Sequence, residues 1–389
     1  MKIQILPLAL LLAWPAFCPA APQLTITAVN HLPLARASQT IEISAKDLAP
    51  LGDATLEKIH VHDAAGKELL CQAVDTDYDD YHRADVLIFQ SDFAAGEKKT
   101  FTVTVGKKHE FKKEDFKAHG RFVRERFDDF AWENDRIAHR TYGAALETWK
   151  GEPLSSSTID IWSKRVPGMV IDSWYMSDDY HADGGEGADF YSAGLSRGCG
   201  GSGLWAADRL WVSRNFVQSR VLANGPIRVL FELVYEPFDV NGISVSEVKR
   251  VSLDAGQQLD HFQSSYQPFA RPEKPVTLTP AAGLKKVAGE KVEFNAEHGW
   301  LVKWEPMEKN AGNQGLAIVI APKLIEKQAE DKLNQLVLAK AAADNVVSYW
   351  AGFAWEKYGP VTTAEAWKKY VDEFSQGARS PIEVKVSAE

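Results

Sequence analysis

The sequence predicts an all-β protein, a small N-terminal β-sandwich followed by a large antiparallel β-sandwich with few helices. Three observations carry this. Short runs rich in Val, Ile, Leu and Thr recur from Leu24 to Val105, turn pairs separate them, and longer strand-like runs continue beyond with one strongly helical segment.

Residues 1–20 carry one positive charge at Lys2, an apolar run from Ile3 to Phe17, and the small residues Cys18 and Ala20. The run is too short for a membrane span and is interrupted by Pro7 and Pro15, so it reads as a secretory signal peptide cleaved after Ala20. Cys18 offers a lipoprotein alternative, against which stands the bulky Phe17. A periplasmic or secreted protein with no membrane span is the expectation. Cys71 and Cys199 would then lie in an oxidising compartment, but they fall in different predicted domains and sequence does not place them within bridging distance.

The small sandwich is expected over 21–106, with strands at LTITAV, QTIEISA, KIHVHD, LLCQAV, ADVLIFQ and TFTVTV. Gly52-Asp53, Ala65-Gly66 and Ala95-Gly96 mark turns between them. His60 and His62 share one face of a short strand, which alone does not make a metal site. Asp75, Asp77, Asp79, Asp80 and Asp85 resemble a calcium loop, yet Asp80 stands where glycine is needed and Val86 where glutamate is needed. A solvated turn is favoured over a structural calcium, and no cofactor is expected. The lysine-rich stretch 107–118 reads as a linker.

The large sandwich is expected over 119–389. Thr362 and Glu365 form a capping-box pattern ahead of Trp367, Tyr370, Val371 and Phe374 at helical spacing, with Gly377 as the stop. The run KLIEKQAEDKLNQLVLAKAAADN fits either a helix or a strand pair.

The chemistry concentrates between Asp128 and Trp205. Aromatic rings offer faces to sugar C–H surfaces, while Asp, Asn, Arg and His suit hydroxyl rims. Eight glycines between Gly184 and Gly203 permit close backbone approach. Period-two alternation through FAWENDRIAHRTYG puts Trp132, Asn134, Arg136, Arg140 and Tyr142 on one face, and Glu133, Asp135, Ile137 and His139 on the other. A concave ligand-lined sheet and an exposed strand laced with ion pairs both fit.

Three chemistries compete. No spacing matches a known metal-ligand pattern. A glycosidase could use Asp183, Glu186 or Asp189, although sequence does not give their separation. β-Elimination from a uronate needs a carboxylate neutraliser, a base and an acid. Arg140, Arg197 and Asn134 suit the first role, and His139, His181, Tyr142 and Tyr180 the other two. Trp132, Trp174, Tyr175 and Tyr191 would stack on the sugar. These residue types match elimination best, with a non-catalytic carbohydrate-binding protein as a further alternative.

The net charge of −9 becomes one unit more acidic when Lys2 leaves with the signal, and no basic stripe exists, so nucleic acid is excluded as a partner and an acidic oligosaccharide is expected.

FAWENDRIAHRTYG, GEGADFYSAGLSRGCGGSGLW, RVLANGPIRVLFELVYEP and WAGFAWEKYG resemble the secreted bacterial family known as domain of unknown function 4861. The resemblance covers most of the mature chain. It implies a sandwich shaped like mutarotase-like and polysaccharide-lyase domains, and lyase-type dehydration of a non-reducing-end uronate.

Overall fold

The computed structural model describes residues 22–77, 83–151, 153–177, 179–269, 278–340 and 345–388. The signal-peptide cleavage point, Asp79 and Asp80 of the acidic loop, and Asp178 lie outside them. All six short runs of the first region form strands. In Leu24–Val29 alternate residues are buried, which sends Leu24, Ile26 and Ala28 into a core with Ile41, Ile43, Phe89, Phe101 and Val103. Each of the Leu, Ile, Val and Phe side chains among these contributes about 1.5–3 kcal/mol on burial.

This small sandwich pairs a three-stranded sheet, in the order Arg36–Ser44, Val86–Phe93, Cys71–Val74, with a five-stranded one. The outer strand of the latter is Glu383–Ala388, antiparallel to Leu24–Val29 in the register Leu24↔Ala388 to Val29↔Glu383. The small sandwich therefore includes a strand from the far end of the chain, which the boundary 119–389 had assigned to the large one.

The large sandwich is built on an eight-stranded antiparallel sheet whose central strands include Arg228–Val240, Ile243–Asp254, Leu259–Pro268 and Val346–Trp355. One face packs on two five-stranded sheets through a shared core containing Phe130, Ile161, Cys199, Leu284, Phe231, Phe262 and Phe353. The all-β expectation holds. The other face carries the helix Ala364–Arg379, which buries Trp367 and Val371 against Trp300, Val302 and Val319. Its N-cap is Thr363 rather than Thr362, with the hydroxyl accepting from Ala366 N at 3.1 Å, and Gly377 lies inside its last turn. The ambiguous run after Pro322 is a strand pair, Ile325–Glu330 with Asn334–Ala339.

FAWENDRIAHRTYG is a hairpin and not one strand. Asp129–Asn134 pairs with Ala138–Thr141 so that Trp132 opposes His139 and Ala131 opposes Arg140. Asn134 staples the turn: its Oδ1 accepts from Arg136 N at 2.8 Å and Ile137 N at 2.9 Å. The turn resets the alternation, so Trp132 and His139 share the core-facing side while Arg140 takes the other. The expected division of faces is thereby overturned. The two arms are buried on both faces, unlike an open ligand-lined sheet or an exposed strand.

Candidate functional site

Arg140 leaves the hairpin on the face away from the core. Its Nε donates to Asp160 Oδ2 at 2.8 Å, Nη2 to Asp189 Oδ2 at 2.8 Å, and Nη1 to the Tyr180 hydroxyl at 3.1 Å. The guanidinium carbon lies 5.4–5.5 Å from the ring centroids of Tyr142, Trp162 and Tyr180. Asp160 belongs to the neighbouring strand Asp160–Lys164, and it also accepts from the Tyr142 hydroxyl at 2.7 Å. Burial, then the charge of Asp160, keeps the Tyr142 phenol well above its ordinary range. Burial pushes the Asp189 carboxyl up to about 7, against the pull of Arg140.

The loop after the short helix Ile171–Tyr175 closes over this cluster and places His181 half exposed above Asp189. His181 Nδ1 is 3.4 Å from the Asp189 carbonyl oxygen and 3.3 Å from Oδ2. Both neighbours are acceptors, so the neutral ring carries its hydrogen on Nδ1 and presents the Nε2 lone pair. Burial, with help from the cations Arg140 and Lys309, lowers the His181 pKa and keeps the ring neutral at pH 7. Tyr180 accepts from Arg126 Nε at 3.1 Å as well as from Arg140, so its own hydrogen is what it has left to donate. Arg140, Tyr142, His181, Asp189, Tyr191 and Lys309 line a pocket of ≈ 160 Å³. The Tyr191 hydroxyl is buried and has no hydrogen-bond partner among the described residues.

Arg126, which donates to Tyr180, connects the cluster around Arg140 to an aromatic ledge. Its guanidinium carbon lies 5.2 Å from the Phe127 ring and 5.3 Å from Trp149, and these two rings stack at 4.5 Å. Trp149 is 37% exposed, enough to offer a face. Phe127 and Asp128 adopt φ of 51° and 63° in succession. Such backbone strain persists only where the surroundings enforce it. Gly143 is part of that enforcement, because a Cβ there would stand 1.9 Å from the Asp128 carbonyl oxygen.

Of the sequence-predicted residues, the structure brings together Arg140, Tyr142, Tyr180, His181 and Tyr191, with Trp174 and Tyr175 behind them. Trp174, Tyr175 and Tyr180 pack around Trp162 at 5.4, 4.7 and 5.1 Å, so Trp174 and Tyr175 support the wall and do not form the stacking surface.

Four residues lie elsewhere. His139 is fully buried, 2.9 Å from Asp260 Oδ2 and out of line for a hydrogen bond, and it stacks on Trp132 at 5.3 Å. Trp132 donates to Asp260 Oδ1 at 2.6 Å and is equally buried. Neither touches a ligand space. The Asn134 amide is used up by the turn and by Asp254 O and Gln257 O at 2.6 and 2.8 Å. Arg197 is enclosed among Ser156, Ser157 and the Ser202 carbonyl, where burial lowers its pKa.

Asp160, Trp162, Arg126 and Trp149 belong to the site and were not singled out. The one available signal was Asp160 within a strand-like run, a charge that a buried strand must pair. Among the glycosidase candidates, Asp183 pairs with Arg165 and caps the loop amides of Gly185 and Gly187, while Asp189 alone lines the pocket. In the acidic N-terminal loop, Asp85 binds Thr76 N at 2.6 Å, the role of a turn staple. Cys71 and Cys199 are free and buried in the separate cores of the two sandwiches. Among the described residues no helix is long and apolar enough to cross a membrane.

The sequence profile of the family described as Domain of unknown function (DUF4861) matches residues 29–384. A relative from Formosa agariphila, named Uncharacterized protein P7, is 36% identical over 377 residues, covering 93% of each chain. Among solved structures, an α-mannosidase from Enterococcus faecalis V583 superposes with a TM-score of 0.51 at 10% identity over 94% of this chain. A second Enterococcus faecalis protein, in Glycosyl Hydrolase Family 38, gives 0.53 at 9% over 95%. The chain spans 46% and 48% of those two structures, slightly under half of each, and the likeness is one of fold. The chain belongs to the DUF4861 family.

Proposed function

We propose that this DUF4861 protein is an exported lyase that eliminates across C4–C5 of a uronate residue at the end of an acidic oligosaccharide. The observation that supports the reading most is the convergence of a neutral, half-exposed His181 and a hydrogen-donating Tyr180 on one Arg140–Asp189 pair.

In this reading His181 Nε2 takes the C5 proton, with Asp189 holding the ring through Nδ1. The C4–O bond breaks as C4=C5 forms, and Tyr180 gives its hydrogen to the departing oxygen. The N–H groups of Arg126 and Arg140 remain to hold the phenolic oxygen. Lys309 at the pocket rim balances the uronate carboxylate as charge spreads onto it, a role that falls to neither Asn134 nor Arg197. The same groups serve dehydration, where hydroxide leaves as water, and exo-cleavage, where a sugar leaves.

The test is ultraviolet absorbance with mass spectrometry during incubation with uronate oligosaccharides. A growing enoate band with loss of one water establishes a dehydratase, and the same band with shortened chains establishes an exo-lyase. Shortened chains without the band overturn elimination and leave a second reading, hydrolysis, for which Asp189 with its raised pKa and Glu308 at the pocket rim supply two carboxyls.

A further inference from the structure

The small sandwich carries a cluster that the lyase reading does not use. His60 sits on the strand Ile59–His62, and Glu68 on the neighbouring strand, whose register places it opposite His62. His109 reaches the same spot from the segment after Lys98–Val105, which folds back over the strand end through Gly106 N to Lys58 O at 2.8 Å and His109 N to Glu57 O at 2.9 Å. Gly106 is needed there, since a Cβ would stand 2.5 Å from His60 Nε2.

The two rings are oriented by backbone carbonyls. His60 Nε2 is 2.8 Å from Lys107 O and His109 Nε2 is 2.7 Å from Ile59 O. A carbonyl only accepts, so each Nε2 carries the hydrogen and each neutral ring directs an Nδ1 lone pair inward. Both lone pairs face Glu68 Oε1, at 2.6 Å from His60 and 4.0 Å from His109, and one donor atom from each of the three residues falls within 4.8 Å of the others. Three electron-rich atoms converge there, and the gap between them takes either a proton on His60 Nδ1, across its 2.6 Å contact with Glu68, or a metal cation. Anchoring the distal N–H on a carbonyl is how metal-ligating histidines are held.

We infer that His60 Nδ1, His109 Nδ1 and a Glu68 carboxylate oxygen form a binding site for a divalent transition metal of the zinc class. Two imidazoles and one carboxylate suit zinc or copper and not calcium, which takes oxygen ligands. Glu68 is half exposed and free to adjust its rotamer, and its open side leaves a fourth position for solvent. His62, the partner that strand alternation suggests for His60, is not part of the set.

The full chain, stripped of metal and titrated with zinc alone by calorimetry at about pH 7.5, is expected to bind one saturable equivalent with a rise in melting temperature. Glu68→Ala and His109→Phe, each checked for folding by circular dichroism, should weaken binding by at least about tenfold and lose the rise, while His62→Ala leaves both unchanged. Cobalt should give visible bands that the same variants remove. Absence of saturable binding means that a proton alone fills the gap between His60 and Glu68, and it overturns the site. Unchanged affinity in Glu68→Ala and His109→Phe overturns it equally.

Discussion

The two sides of the hairpin Asp129–Thr141 hold similar side chains and do different things. On the inner side, Trp132, His139 and Asp260 form a closed set sealed in the core. On the outer side, Arg140, Asp160 and Asp189 form an ion-paired set that opens past His181 onto a pocket. Both set a nitrogen-bearing side chain against carboxylate oxygens beside aromatic rings. Only the outer set has an open side, so the proposed function rests on access and not on residue type.

Substitutions can test this contrast. The largest effect is expected from Arg140→Ala, which strands Asp160 and Asp189 in the interior and should cost about 3–5 kcal/mol by chemical denaturation, with turnover lost as well. A stable Arg140→Ala protein would show that the outer set is far better hydrated than its burial indicates.

Next come the two histidines. His181→Asn should lower turnover by roughly 10²–10⁴-fold while moving stability by no more than about 0.5 kcal/mol. His139→Asn should do the reverse, losing roughly 1–3 kcal/mol with turnover per folded molecule preserved. If both lose turnover equally without destabilisation, the two sides are not distinct.

The pH profile sharpens the assignment. Under the lyase proposal His181 acts as a neutral base and its pKa is lowered, so turnover should hold through pH 7 and fall only below the ordinary histidine value of about 6.5. Lys309→Ala removes one of the cations responsible and should move that acid limb upward. A limb that stays put assigns the titration to another group. The smallest effect is expected at the ledge, where Trp149→Ala should raise KM by about 2–10-fold with kcat little changed, in line with about 0.5–1.5 kcal/mol for an aromatic contact.

The sandwich strands were legible because alternation and turn residues act locally, as in Leu24–Val29. The loop bearing Tyr180, His181 and Tyr191 was legible because polar, aromatic and glycine residues together fit neither a core nor a featureless coil. The partition within FAWENDRIAHRTYG was not, because it depends on a turn of three residues that Asn134 holds by side-chain bonds. Arg197 misled for a related reason: the Ser156 and Ser157 hydroxyls from a distant segment, with the nearby Ser202 carbonyl, make a buried guanidinium tolerable, and no local pattern announces the two distant ones. Asp160 went unread because its partners Arg140 and Tyr142 reach it only through strand pairing.

The pairing of Leu24–Val29 with Glu383–Ala388 bears on how the molecule is made. The first sandwich to emerge during synthesis is the last to be completed, since one edge of its sheet waits for nearly the whole remaining chain. Until then Leu24–Val29 presents unpaired backbone along that edge, an invitation to pair with another copy. A chain cut short before Glu383 should therefore suffer first through self-association of the small sandwich, far from the pocket, and a permuted chain joining Ala388 to Leu24 by a short linker should relieve that wait.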